Sequence, residues 1–172
     1  MRSLACALIA AFSLTGVATA DNPLLTARGV TFRVPRAWHL TAGRINGVVD
    51  PVTVFTVTTF TLSAGATPTG ICAPALQRAW RADGGYVQLT EERDGASRKR
   101  MLRRVEQRPR HFELNARGGG GLCTPPNSGE IVFQQHSRAF YVLYGFGLDA
   151  SAKARAAAAA LLDTMRIAPR RP

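Results

Sequence analysis

The most distinctive chemical feature of this sequence is a run of cationic side chains near its middle. Between Arg93 and Arg110 the only acidic residues are Asp94 and Glu106. A guanidinium can hold a phosphate or carboxylate group through two parallel hydrogen bonds, so this run is a candidate binding site for an anion or an acidic partner. A solvated loop in an arginine-rich chain has the same composition, because blocks of like charge are usually exposed and mobile. The candidate residues are Arg98, Lys99, Arg100, Arg103, Arg104, Arg108 and Arg110.

Side chains that could form a catalytic or metal site are scattered along the chain. The histidines are His39, His111 and His136, and none has a second histidine two to four residues away, so no metal-binding spacing arises. There is no Gly-x-Ser-x-Gly nucleophile motif, and the adjacent Glu91 and Glu92 would point to opposite faces of a strand. We therefore expect no catalytic residues, no metal and no cofactor. A small secreted hydrolase that uses His111 or His136 with an unrecognised nucleophile is an alternative.

The pair of cysteines that follows the N-terminal segment, Cys72 and Cys123, predicts one disulfide. An even pair in an exported chain is typically bonded, and the bridge would close a loop of about 50 residues, worth roughly 4 kcal/mol in the chain-entropy model. The alternative, a free nucleophile or metal ligand, is less frequent without a C-x-x-C spacing or a nearby histidine. Gly118–Gly121 resembles a phosphate-binding loop in composition only, because Pro125 and Pro126 prevent a helix from starting at once. We interpret it as a flexible loop that lets Cys123 reach its partner.

The beginning of the chain has the organisation of a secretory signal peptide. Arg2 supplies the positive end, Leu4–Leu14 the apolar run and Ala18–Ala20 a small-residue cleavage site. The apolar run is short and contains Ser, which argues against a membrane span. We expect a signal peptide over residues 1–20 and a single secreted domain over 21–172. Its location would be extracellular, periplasmic or at the cell envelope, with no transmembrane segment after cleavage.

The charge of the chain limits the classes of partner. The formal net charge is +11, and arginine carries most of it because Lys99 and Lys153 are the only lysines. Such a chain is drawn to anionic surfaces, and salt weakens that attraction. The partners expected are an anionic envelope polymer, lipid headgroups or a protein. Nucleic acid is not expected, because no zinc spacing or aromatic RNA-binding motif is present.

The stretch from Ala139 to Ile167 is expected to organise the fold, because it combines a buried strand with an amphipathic helix. Positions 139–146 are apolar on both alternating sets, which is typical of a strand inside a covered sheet. Asp149 and Ser151 offer N-capping oxygens before the helix, and a short strand ends the unit. The helical stripe consists of Ala154, Ala157, Ala158, Leu161, Leu162 and Met165.

The remaining segments complete an α+β fold, predicted as a mostly antiparallel sheet covered by two helices. A second helical stripe runs from Cys72 to Trp80 and places the cysteine on the buried face. We expect the strand at 52–62 to be half-covered, since its threonines favour one wetter face, and the segment 93–110 to be irregular. The predicted strands are Gly29–Val34, Trp38–Leu40, Val52–Leu62, Tyr86–Glu91, His111–Asn115, and the hairpin of Glu130–His136 and Ala139–Gly147 that turns at Ser137-Arg138.

Three stretches of this sequence together resemble the PsbP-like α/β/α sandwich superfamily. They are the opening Gly-Val-Thr-Phe-Arg-Val-Pro-Arg-Ala-Trp at 29–38, the Val/Thr/Phe strand at 52–62, and the closing strand–helix–strand that ends with Leu-Leu-Asp-Thr-Met-Arg-Ile at 161–167. The layout also resembles small exported proteins of unassigned function from high-GC bacteria. The resemblance implies a non-enzymatic binding or assembly role and supplies no catalytic residue.

Charge, export signal and resemblance lead to one functional expectation. We expect an exported, non-catalytic binding or accessory domain that contacts an anionic envelope component or a partner protein through a basic face. A secreted enzyme inhibitor is a further alternative, distinguished by a rigid exposed loop and a single tight partner.

Overall fold

The computed structural model of the chain describes residues 22–41, 50–62, 79–115 and 127–170. The signal segment, Cys72, Cys123 and Gly118–Gly121 lie outside these ranges, and so does nearly all of the predicted helix before Trp80. Their predicted roles stay predictions. In chain order the elements are β1 Leu24–Ala27, β2 Val30–Arg33, β3 His39–Thr41, β4 Val52–Thr58, β5 Gly85–Glu92, α1 Gly95–Leu102, β6 Ser128–Gln135, β7 Arg138–Phe146, α2 Ala152–Thr164 and β8 Arg166–Ile167.

A five-stranded antiparallel sheet forms the centre of the fold. Its spatial order is β3, β4, β5, β7, β6, with β5 in the middle. β5 and β7 pair over eight residues, from Gly85 opposite Phe146 to Glu92 opposite Ala139. The antiparallel sheet and the β6–β7 hairpin are therefore confirmed. The hairpin turn is His136-Ser137, one residue earlier than predicted, and both of its residues have positive φ.

The first and last strands form a separate three-stranded sheet, which corrects the single layer expected from the sequence. The order is β1, β2, β8, and β2 pairs with β8 through Val30 opposite Ile167. The β1–β2 turn is Arg28-Gly29, with φ of 50° and 72°, which suits the type I′ turn of a tight hairpin. The sequence did not predict β1 because its residues have no two-residue alternation of apolar and polar side chains.

The two helices of the described ranges lie on opposite faces of the large sheet. α2 begins after Ser151, whose hydroxyl accepts a hydrogen bond from the helix, and it buries Leu161 and Leu162 in the core beside Val142 of β7. α1 instead contacts Tyr141, the neighbour of Val142 on β7. Because successive side chains of a strand point to opposite faces, the two helices pack on opposite sides. The predicted helix after β7 is confirmed.

The β4 strand is buried on both faces, which corrects the prediction that it is half-covered. Thr56 and Thr58 have no exposed surface. The Thr58 hydroxyl donates a hydrogen bond to the Phe60 carbonyl, so that side chain can be buried at little cost. On the same side of the sheet, Trp80 packs edge-on against Phe60 and Tyr86. Threonine on a strand therefore does not by itself indicate a wet face.

A buried ion pair links the two sheets. Arg138 of β7 forms a bidentate pair with Glu91 of β5, with both N···O distances at 2.9 Å. The same guanidinium donates to the carbonyl of Arg28 in the β1–β2 turn at 2.7 Å and to that of Ala168 after β8 at 3.0 Å. It also lies 4.9 Å from the centre of the Phe140 ring. One side chain therefore joins the large sheet to the end of the small one where the β1–β2 turn meets the segment after β8.

Candidate functional site

Helix α1 carries the first part of the basic run, which corrects the expectation that residues 93–110 are irregular. Asp94 is its N-cap and accepts a hydrogen bond from the Ser97 N–H at 2.8 Å. Hydrogen bonds from Ser97 lower the pKa of the Asp94 carboxyl, as expected for a carboxylate that caps a helix. The sequence missed α1 because the helix has only eight residues and none of them is buried, so no apolar stripe marks it.

Two side chains of the large sheet hold α1 in place. The Tyr141 hydroxyl lies 2.9 Å from the Met101 sulfur. The Gln134 side-chain amide donates to the Leu102 carbonyl at 3.1 Å and to the Val105 carbonyl at 2.7 Å. The Leu102 carbonyl belongs to the last turn of the helix, where backbone acceptors have no partner within the helix, and the Val105 carbonyl belongs to the turn that follows. The helix and the turn after it are therefore tied to the sheet through both side-chain and backbone groups.

We define the basic ridge as Lys99, Arg100, Arg103 and Arg104, all of which are exposed. Arg100 donates to the Ser97 hydroxyl at 3.1 Å. Within the described ranges none of the four cations forms an ion pair, because the pairs found there involve other residues. The ridge therefore presents four positive charges, and apart from the Arg100 bond to Ser97 their donors are available to an anion.

The other candidates of the basic run are placed differently. Arg98 is half-buried on α1. Arg108 turns inward and donates to the carbonyls of Leu162 at 2.6 Å and Asp163 at 2.9 Å, at the C-terminal end of α2. A cation at that position satisfies free carbonyls and interacts favourably with the helix dipole, so Arg108 has a structural role. Arg110 is exposed but lies beyond α1, after a segment that bonds to β6.

A cleft of about 380 Å³ lies beside the ridge, between α1 and β7. Arg100 and Arg104, four residues apart, line it together with Glu92. Burial raises the pKa of Glu92, and the neighbouring Asp50 carboxyl raises it further. Glu92 accepts a hydrogen bond from the Asp94 N–H at 3.0 Å. That hydrogen bond opposes the shift, because it stabilises the charged carboxylate.

The histidines form no catalytic set in the part of the chain that the structure describes. His111 lies 3.4 Å from the Asp163 carboxylate, and His136 lies 3.5 Å from the Gln135 amide. Neither contact includes a serine. Within the same ranges, no group of three or more His, Cys, Asp or Glu side chains is placed to hold a metal ion.

Sequence reasoning missed a second convergence of arginines. Arg28, Arg93, Arg138 and Arg170 line a cleft of about 560 Å³ next to the small sheet. They come from the β1–β2 turn, the end of β5, β7 and the segment after β8. Their spacing in the sequence does not group them, because the pairing of β5 with β7 and that of β2 with β8 are both needed to bring these segments together.

Comparison of the chain with protein-family models, with curated proteins and with solved structures finds no match. The resemblance to the PsbP-like sandwich therefore stays a prediction. What the described residues show is a mixed α+β chain with mostly antiparallel sheets and two helices. Neither of these helices has the length and apolar character needed to cross a lipid bilayer.

Proposed function

We propose that this chain is an exported, non-catalytic binding domain whose basic ridge contacts an anionic component of the cell envelope. The observation that carries the proposal is a set of four cations without an ion-pair partner in the described ranges, fixed to the sheet by Tyr141 and Gln134. Lys99 and Arg100 lie on α1, and Arg103 and Arg104 lie in the turn that follows it. Because the helix is already held, binding would require ordering of the side chains alone.

The size of the electrostatic effect is sufficient for useful binding. Each Lys or Arg next to an anionic surface contributes about 1 kcal/mol, so the ridge would contribute about 4 kcal/mol, a factor of about a thousand in partitioning. The formal net charge of +11 adds attraction at longer range. Both contributions fall with ionic strength, so a contact of this kind must weaken in salt.

The two alternatives have less support from the described residues. A hydrolase needs a nucleophile within hydrogen-bond reach of His111 or His136, and the observed partners are Asp163 and Gln135. An inhibitor would present a rigid exposed loop to one tight partner. The basic ridge is the end of a helix and the turn after it, with four like charges, which favours a polyanionic surface over a single enzyme cleft.

Export and the disulfide are parts of the proposal that rest on the sequence. The leader Met1–Ala20 and the pair Cys72 and Cys123 support an oxidising location outside the cytoplasm. Intact-mass spectrometry of the protein purified from its host envelope or medium tests both. We expect a chain that starts at Asp21 and gains about two mass units on reduction. A retained leader or two free thiols would contradict this part of the proposal.

The ridge is tested by retention of the purified protein on anionic vesicles and on cell-wall material at about 50 mM and about 500 mM salt. We expect the variant Arg100→Ser/Arg103→Ser/Arg104→Ser to bind about 100-fold more weakly at low salt. The matched control replaces three exposed arginines elsewhere, in Arg36→Ser/Arg81→Ser/Arg166→Ser, and therefore has the same net charge. Equal retention of the two variants would remove the ridge as the contact. Retention that protease treatment of the envelope abolishes would identify a protein partner instead.

A further inference from the structure

We propose that the cleft next to the small sheet is a separate binding site for the phosphate group of a small ligand. Its walls carry the exposed guanidiniums of Arg28, Arg93 and Arg170, and its floor is the buried pair of Arg138 and Glu91. Nothing in this inference depends on the basic ridge, so the two sites can be tested separately.

The Arg138–Glu91 pair at the floor of the cleft is held in place, and it does not neutralise the arginines of the walls. Both Glu91 oxygens accept hydrogen bonds from Arg138 at 2.9 Å, so this carboxylate is already paired. With two carbonyls also bonded, Arg138 uses four of its five N–H groups and leaves one on Nη1. A side chain at Gly29 would place its Cβ 3.3 Å from that nitrogen, so the glycine leaves Nη1 open to the cleft.

The walls are three cations on separate, anchored segments. Arg28 sits in the tight β1–β2 turn, and its Nε donates to the Thr53 carbonyl at 3.1 Å, which leaves the two terminal nitrogens free. The backbone N–H of Arg93 donates to Asp50 at 3.1 Å, while its side chain is exposed. Arg170 follows β8. Among the described residues, none of the three forms an ion pair.

Phosphate is the chemistry that this arrangement fits. Four arginines and one glutamate give the lining a formal charge of +3, which a carboxylate with a single charge would leave largely uncompensated. A phosphate monoester carries a charge of about −1.5 to −2 with three acceptor oxygens, and guanidiniums match these oxygens with paired donors. The cleft volume of about 560 Å³ exceeds what a phosphate ion alone occupies. Thr26 and Thr31, whose hydroxyls lie 3.1 Å apart, line the remaining space and suit a hydroxyl-bearing ligand body.

Inorganic pyrophosphate is the probe for the direct test, by isothermal titration calorimetry at about 50 mM salt. We expect the variant Arg28→Ser/Arg93→Ser/Arg170→Ser to bind pyrophosphate about 10- to 100-fold more weakly than the wild type. The equal-charge control Arg36→Ser/Arg81→Ser/Arg110→Ser, whose three arginines are exposed and do not line the cleft, should change the affinity by less than about twofold. Failure of the wild type to bind pyrophosphate, or equal losses in the two variants, would overturn the proposal.

A second variant distinguishes a loss of binding from a loss of folding. The side chains of Arg93 and Arg170 make no hydrogen bond in the described ranges, so Arg93→Ser/Arg170→Ser removes two wall cations and leaves the Arg28 contact with Thr53 intact. We expect an unchanged circular dichroism spectrum and a loss in pyrophosphate affinity of about tenfold. An unchanged affinity in this folded variant would refute the site.

Binding to vesicles that contain phosphatidic acid distinguishes a lipid headgroup from a soluble phosphorylated ligand. The protein used carries the ridge substitutions Arg100→Ser/Arg103→Ser/Arg104→Ser, which remove most of the charge of the ridge. Vesicle binding that pyrophosphate displaces would assign the site to a lipid headgroup. Pyrophosphate binding without vesicle binding would assign it to a soluble phosphorylated ligand. In both cases the Arg93→Ser/Arg170→Ser change must weaken the interaction.

Discussion

Removing Arg138 is the perturbation whose cost the structure specifies best. Arg138 is 4 % exposed and Glu91 is 5 % exposed, and the two side chains share a bidentate contact. The substitution Arg138→Met keeps most of the apolar stem against Phe140 but leaves the Glu91 carboxylate buried without its partner. It also removes the hydrogen bonds that hold the β1–β2 turn and the segment after β8.

The size of the stability loss follows from the Glu91 carboxylate, which the substitution leaves buried and unpaired. Breaking a buried ion pair by removing one partner costs about 3–5 kcal/mol, because an uncompensated charge remains. The carbonyls of Arg28 and Ala168 belong to exposed residues, so water can replace the lost donors and little is added. A domain of this size loses about 2–4 °C of melting temperature per kcal/mol, so we expect Arg138→Met to lower it by about 6–20 °C.

Thermal and urea unfolding followed by circular dichroism measure this loss. The matched control is Arg155→Met, because Arg155 also lies over a phenylalanine ring, at 4.8 Å, and has no acidic partner in the described ranges. Its loss should be about 1 kcal/mol or less. In a double-mutant cycle, Glu91→Gln with Arg138→Met should cost clearly less than the sum of the single changes. A cost below about 1 kcal/mol for Arg138→Met, or additive effects, would refute the assignment of the pair as the link between the sheets.

Three further changes test other parts of the structure. Ser137→Gly should stabilise the chain by about 1 kcal/mol in urea unfolding, because Ser137 has a φ of 57°, whereas Ser137→Ala should give no gain. Gln134→Leu should cost about 1–3 kcal/mol and speed hydrogen exchange in α1, since one bond to the end of that helix and one to the turn after it are lost; equal exchange in Gln135→Leu would contradict this. Glu92 has a raised pKa, so the folded chain keeps a proton that the unfolded chain has lost, and stability falls as pH rises above the ordinary glutamate pKa. Glu92→Gln should therefore be more stable than the wild type near pH 8 and similar near pH 4, and parallel pH profiles of the two proteins would contradict the cause assigned.

Local patterns predicted the part of the fold that depends on neighbours in sequence. The strand that starts near Ala139 is a continuous apolar run, the helix that ends at Thr164 has a clear apolar stripe, and both elements were confirmed. The second sheet could not be predicted, because Val30 and Ile167 pair across almost the whole chain and nothing in either strand specifies its partner. Helix α1 was missed because it has no local pattern to mark it. Its residues carry no apolar face, and its position depends on a cap and on contacts from the sheet.

In the candidate site too, the sequence predicted which residue types are present but not where the fold places each of them. The sequence predicted a concentration of cations, but it could not separate Arg104, which is exposed beside α1, from Arg108, which caps the carbonyls of α2. The two residues are four positions apart and chemically identical. They differ because the helix ends at Leu102, after which the chain runs along β6 and turns the Arg108 side chain inward.

The alternation of side chains along β5 explains how one chain can carry so many cations. Glu91 and Glu92 point to opposite faces, so Glu91 lies in the cleft beside the small sheet while Glu92 lies beside the basic ridge. The sheet and its packed layers separate the two groups of cations by about 10 Å or more, which is comparable with the screening length at physiological salt. Repulsion between the two groups is therefore weak, and each face can hold its own anion without competing with the other.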